Sequence, residues 1–135
     1  MSTERTSAGR QVGTVKVEFA SPETAVVTLV GEHDLNSRLT LRATLTCAAE
    51  GRNLLVDLGL CTFADSAIVS LLLATERALS SHGRRCELII PPDAGYVTRL
   101  FEITGIADLF RAHSSLEAAL ESMAEPVGAS ARGSR

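Results

Sequence analysis

The chain has 135 residues, 45% of them hydrophobic and 21% charged, with a formal net charge of -3 at pH 7. That length and apolar content suit one packed domain, and with Lys16 the single lysine among thirteen basic residues there is no basic field to gather nucleic acid. No apolar run approaches the roughly 20 residues of a membrane span, and the start, MSTERTSAGRQ, lacks the apolar stretch of a secretion signal, so a soluble cytoplasmic protein with neither nucleic-acid nor membrane partner is expected.

In chain order, both ends are polar, rich in small residues and without apolar periodicity. Residues 1–11 and 125–135 are read as flexible tails, leaving one domain over 12–124. TVKVEFA alternates Val15, Val17 and Phe19 against polar neighbours, as a strand with one wet face does. SPET turns, and AVVTLVG is a second, more continuously apolar strand, so the two read as a hairpin. After Gly31 the period changes: Leu35, Leu39, Leu41, Ala43, Leu45 and Ala48 make a helical stripe with Asn36 or Ser37 as its N-cap. NLLVDL is a short strand buried on both faces, and GLCTFADS a loop into a second helix from Ser66 to Ser81, after which Gly83 takes a left-handed turn. CELIIP is the next strand, stopped by Pro91 and Pro92. AGYVTRLFEITGI is a third helix closed by Gly105, and ADLFRAH a short last strand. SSLEAALESM is an amphipathic helix with Ser114 or Ser115 as cap and Glu117 placed for a capping box. This alternation predicts an α/β fold: a mostly parallel mixed sheet of about five strands, opened by a hairpin and covered by about four helices.

Such sheets work where the carboxyl ends of strands meet the loops leading into helices. If consecutive strands are neighbours, GEHDLN and GLCTFADS bring Asp34, Asp65 and Ser66 to one rim. The helix from Ser66 carries Ile68, Val69, Leu71, Leu72, Leu73, Ala74 and Leu79, so its first turns must be deeply buried. Its N-terminus is nevertheless polar, with unpaired N–H groups and a partial positive charge of roughly half a unit. Asp65 as N-cap satisfies one donor and leaves the Ser66 hydroxyl unused. A phosphate there would meet free N–H groups and set about -1.5 to -2 charges beside Asp65 and Asp34, tolerable to the helix and repulsive to a partner fitted to the neutral hydroxyl.

Competing chemistries fare worse. Cys47, Cys61 and Cys86 are odd in number and never in C-x-x-C spacing, so they are read as reduced, and Cys61 as a buried thiol rather than a nucleophile. Asp57 in LLVDL resembles the accepting aspartate of a receiver domain, but no acidic pair for magnesium ends TVKVEFA, and the sole lysine lies on that first strand. ADSAI lacks the glycines of a nucleophile elbow, and neither His82 nor His113 has an evident route to Ser66. No nucleotide-binding glycine loop is present, and His33, His82 and His113 do not make a metal set. No catalytic residue, metal or cofactor is expected.

The succession VVTLVGEHDLN, LLVDLGLCTFADSAIVSLLLATERAL and ELIIPPDAGYVTRLFEITGIADLFRAHSSLEAAL resembles the STAS domain, the sulfate-transporter and anti-sigma-factor-antagonist family, over about Val12 to Met123. The resemblance implies a STAS-like fold and, for a free-standing domain, a bacterial anti-sigma factor antagonist. It further implies that Ser66 is phosphorylated by an anti-sigma factor of the histidine-kinase-like ATPase fold acting as a serine kinase. The unphosphorylated form then binds that kinase and frees the sigma factor, which leaves room for a phosphatase to reset the serine. His33, Asp34, Asp65, Ser66, Ala67 and Ile68 become the expected partner surface. Two positions depart from the family pattern. Ala67 and Ile68 stand where a small residue and glycine are usual, so that Ile68 narrows the helix N-terminus or anchors the partner. His33 replaces an apolar residue, as a pH-sensitive rim contact or an outward-facing strand-end histidine. A STAS scaffold that binds without switching is the alternative function.

Overall fold

The antiparallel turn at Pro22 and Glu23 and three helical crossovers assemble a single sheet in the order β1-β2-β3-β4-β5. The strands are β1 Thr14–Ser21, β2 Thr24–His33, β3 Asn53–Ala64, β4 Cys86–Ile89 and β5 Ala112–His113, interleaved with α1 Arg38–Ala48, α2 Ser66–Ser80, α3 Gly95–Thr104 and α4 Leu116–Met123. β1 is antiparallel to β2, and β2 to β5 run parallel, which is the mixed α/β sheet that the alternation predicts. The computed structural model describes residues 13–105 and 107–125. The tails expected over 1–11 and 125–135 lie outside them, except Glu125. Among the described residues no helix is long and apolar enough to cross a membrane.

The sheet is apolar on both faces because both are covered. Ala25, Val27 and Leu29 of β2 and Leu54, Val56 and Leu58 of β3 pack with Leu41 and Leu45 of α1, Ile68, Leu71 and Leu72 of α2, and Val97 and Phe101 of α3. The intervening Val26, Leu55 and Ile89 meet Ala119 and Met123 of α4 on the opposite face. Among the described residues one face thus carries α1, α2 and α3 and the other α4.

β3 is longer than NLLVDL. It continues to Ala64 because β2 stays beside it to His33, and two slips in the pairing, after Thr28 and after Gly31, absorb its extra residues as bulges. Near the first bulge the Asp57 carboxylate accepts the Gly59 N–H at 2.9 Å, and a Cβ at Gly59 would lie 2.9 Å from Pro91 Cγ. Asp57 therefore holds a bulge, and the expected loop GLCTFADS shrinks to Asp65 alone.

Helix ends show smaller shifts. A 3-10 turn over Leu35–Ser37, capped by Asp34, precedes α1; Ser37 takes the N-cap position of α1, one of the two expected, but its side chain makes no capping bond to that helix. Ser115 caps α4, accepting from the Ala118 N–H at 3.1 Å, so Glu117 sits in the first turn, short of a capping box. Gly105 ends α3 in the left-handed region with φ 75°, and ADLFRAH divides into a 3-10 turn over Ala107–Leu109 and β5.

α4 is held to the sheet by charge as well as by apolar contact. Glu87 of β4, 3% exposed, points to the α4 face. Its Oε1 lies 2.7 Å from His113 Nε2 and accepts from Ser122 Oγ at 3.4 Å, while Arg85 Nη1 is 3.7 Å from Oε2. Arg85 Nη2 in turn donates to the carbonyls of Met123 and Glu125 at 3.1 and 2.8 Å. Removing one member of a buried charge set strands the others. Glu87→Ala is therefore expected to cost about 3–5 kcal/mol of unfolding free energy in urea titration, and an unchanged midpoint would contradict the role of this cluster.

Candidate functional site

β2 and β3 end side by side, with His33 opposite Ala64, so the next residue of each chain segment, Asp34 and Asp65, opens onto the same rim. Asp65 is extended (φ -96°, ψ -176°) and caps α2: Oδ1 accepts the Ile68 N–H at 3.1 Å. Its other oxygen, Oδ2, accepts the Leu35 N–H at 3.1 Å. One carboxylate thus serves two helical starts that belong to different crossovers. Asp34 makes a capping box of its own, with Oδ1 accepting the Asn36 N–H at 2.9 Å and Ser37 Oγ accepting the Asp34 N–H at 3.2 Å. Glu32, Asp34, Phe63 and Asp65 line an open depression of about 470 Å³.

Ser66 is the first residue of α2 and is exposed. Its hydroxyl bonds to no described residue, and the amides of Ser66 and Ala67 have no partner among the described residues either. These are the orphan donors of the first turn, at the positive end of the helix dipole. The structure therefore brings Asp34, Asp65 and Ser66 together, with Ala67 half-buried next to them.

Two expected surface residues are not at the surface. Ile68 is fully buried in the main core; it neither narrows the approach to Ser66 nor offers an anchor, because the third position of α2 points down onto the sheet. His33 is also 0% exposed, neither a rim contact nor outward-facing. Its Nε2 lies 3.2 Å from the carbonyl oxygens of both Thr14 and Val30 and so is a donor, and Ser37 Oγ is 3.4 Å from Nδ1. The space for the ring comes from Gly13, where any Cβ would collide with the Glu32 carbonyl and the His33 ring. His33 ties the start of β1 to the end of β2, inside the fold.

Other residues shape the rim without an obvious sequence signal. Tyr96, from the first turn of α3, donates its hydroxyl to the Ala64 carbonyl at 3.0 Å and stacks on Phe63 with ring centroids 6.0 Å apart, fixing the end of β3 before Asp65. Leu35 and Leu39 remain 68% and 72% exposed beside this corner. Leu39 precedes the buried Leu41 by two residues, about 200° around a helix, so the spacing of Leu41, Leu45 and Ala48 carried the sign that Leu39 faces outward. Burial pushes the Cys61 thiol up, and Cys86 up to about 12 with Glu76 and Glu87 adding to it, so neither is a ready thiolate at neutral pH. Among the described residues no group of three or more His, Cys, Asp or Glu is placed to hold a metal ion.

With this geometry in place, comparison with known proteins locates the chain. A family model described as Mlab, STAS domain matches residues 18–125. No curated protein matches at a significant level. Among solved structures, an anti-sigma factor antagonist from Mycobacterium paratuberculosis superposes with a TM-score of 0.73 at 23% identity, covering 84% of this chain and 95% of that one. The anti-sigma factor antagonist SpoIIAA in its unphosphorylated form gives 0.67 at 24% identity, covering 80% and 94%. The Bacillus cell fate determinant SpoIIAA in the phosphorylated form gives 0.62 at 23% identity, covering 80% and 97%. These likenesses concern the fold, and the family match spans most of the sequence. The chain belongs to the STAS domain family.

Proposed function

We propose that this protein is an anti-sigma factor antagonist whose partner is an anti-sigma factor of the histidine-kinase-like ATPase fold, and that phosphorylation of Ser66 by that partner ends the complex. The observation that carries this reading is the exposed, unengaged hydroxyl of Ser66 at the N-terminus of a buried helix, adjoining Asp65, which lines a depression with Glu32 and Asp34. A structural neighbour, SpoIIAA, has been solved in both unphosphorylated and phosphorylated forms, which supports phosphorylation as a modification that this fold can carry.

The chemistry needs little from this chain. ATP held by the kinase supplies the γ-phosphoryl group and leaves as ADP, and Ser66 Oγ accepts the group while its proton passes to the kinase's base. Asp65 has already taken the Ile68 and Leu35 amides, so the hydroxyl is free for transfer and α2 does not depend on it. The new phosphate meets the free first-turn amides and adds about -1.5 to -2 charges beside Glu32, Asp34 and Asp65. A partner surface that accepts those carboxylates and the exposed Leu35, Leu39 and Phe63 then faces an excess of negative charge and a desolvation cost. Because Ile68 is buried, its departure from the family pattern leaves the approach to Ser66 open.

Incubation with ATP and the ATPase recovered by pull-down is expected to place one phosphate on Ser66, read by mass spectrometry. Stoichiometric binding without modification would instead favour a non-switching scaffold. Ser66→Ala is expected to bind that ATPase constitutively and Ser66→Asp to bind about tenfold or more weakly; equal affinities would count against the switch. Asp34→Ala loses a cap worth about 0.5–2 kcal/mol and stays folded, with impaired binding or modification. An Asp34→Ala chain that is unfolded by circular dichroism at room temperature would make Asp34 a purely structural residue.

A further inference from the structure

The sheet has two edges of different character. β5 is two residues long, too short to recruit another strand. β1 is eight residues long and exposed along almost its whole length, and among the described residues nothing pairs with its outer side. It carries no proline, and its pairing with β2 runs unbroken from Thr14 to Phe19, slipping only before Ser21. Long regular edges of this kind are the ones that capture another strand.

The side chains of β1 specify which strand. Val15, Val17 and Phe19 lie opposite Leu29, Val27 and Ala25 on the face that carries α1, whereas Lys16 and Glu18 lie opposite Thr28 and Val26 on the face that carries α4. On the first face Val17 and Phe19 stay 37% and 57% exposed, although the Arg52 guanidinium covers one side of the Phe19 ring at 4.5 Å. Together with Ala43, Thr44, Cys47 and Ala48 of α1 they line an open groove of about 360 Å³. On the second face the only lysine of the chain stands two residues from a glutamate, so the strand reads apolar, positive, apolar, negative, apolar.

We infer that β1 is a self-complementary edge that pairs antiparallel with β1 of a second copy, on a two-fold axis through Val17. In that register Val17 faces its own equivalent, Val15 faces Phe19, and each Lys16 faces Glu18 of the other copy, an opposite-charge pair on each side of the axis. Moving the axis to Lys16 or Glu18 sets like charges face to face. A one-residue slip would oppose the apolar face of one strand to the charged face of the other. An axis through Val15 or Phe19 keeps the faces matched but shortens the ladder and gives neither Lys16 nor Glu18 an opposite charge, so charge, face and length together favour the Val17 register, which joins the two sheets into one and covers the Val17–Phe19 groove from both sides. Ser66 follows β3 and lies outside the contact, so this pairing stands or falls independently of phosphorylation.

Sedimentation equilibrium of the full chain over rising concentration is expected to show the mass moving from that of one chain to that of two. Lys16→Glu and Glu18→Lys, each on an exposed position that leaves the circular dichroism unchanged, are expected to weaken self-association at least about tenfold. The double exchange, Lys16→Glu with Glu18→Lys, is expected to restore it. An equimolar mixture of the two single variants should form the mixed dimer that neither forms alone. A chain monomeric at every concentration overturns the pairing and leaves the edge to a different strand. Single variants that associate as the unaltered chain does overturn the register.

Discussion

The arrangement at the rim rests on the carboxylate of Asp65. Its two oxygens hold the amides of Ile68 and Leu35, which begin the helical segments after β3 and β2. This bond joins two crossovers that the sheet alone would leave free to splay, and it draws Asp34, Leu35 and Ser66 to one corner. It also bears on the role proposed for Ser66. A helix whose cap is already made does not need the hydroxyl of its first residue, so under that proposal the oxygen could take a phosphoryl group without removing the cap of α2. An alanine at position 65 would move the demand for a cap onto its neighbours and blur the division between structural and signalling groups.

Behind this corner the fold is packed where the proposed switch would need it to be. α2 places Ile68, Leu71 and Leu72 in the main core, so its axis is set by apolar burial, and a phosphate at Ser66 would act on a helix that need not move. Tyr96 holds the Ala64 carbonyl from the α3 side, and His33 stitches β1 to the end of β2 from within. The proposed modification would thus change the surface chiefly in its electrostatics: three carboxylates around an open depression, flanked by exposed leucines, would gain further negative charge where orphan amides soften its local cost. Such a switch would differ from those that order a loop, because the local structure would tolerate both states and the partner would bear the difference.

Much of this was legible in the sequence, for identifiable reasons. The apolar runs of β2, β3 and β4 follow from a sheet covered on both faces, and the residues between them keep helical period. Asp65 before an apolar helix is a local cap signal, and it holds. What escaped depends on partners distant in sequence. The bulges of β3 exist only against β2, so a strand of twelve residues looked like a short strand and a loop. His33 is buried because Gly13, twenty positions earlier in the chain, leaves room for the ring beside the start of β1; a lone histidine between two acids gives no hint of it. Ile68 seemed to matter to a partner because of the motif around it, whereas its place in the helical period assigns it to the core. Tyr96 reaches the rim from an element that periodicity places but cannot aim.

The central claim is that one phosphoryl group on Ser66 Oγ controls docking. Its most direct test is calorimetric titration of the partner ATPase with the same chain in two forms, unmodified and stoichiometrically phosphorylated at Ser66. The account predicts tight binding of the first and at least a tenfold rise in Kd for the second, about 1.4 kcal/mol or more. Equal dissociation constants would contradict it.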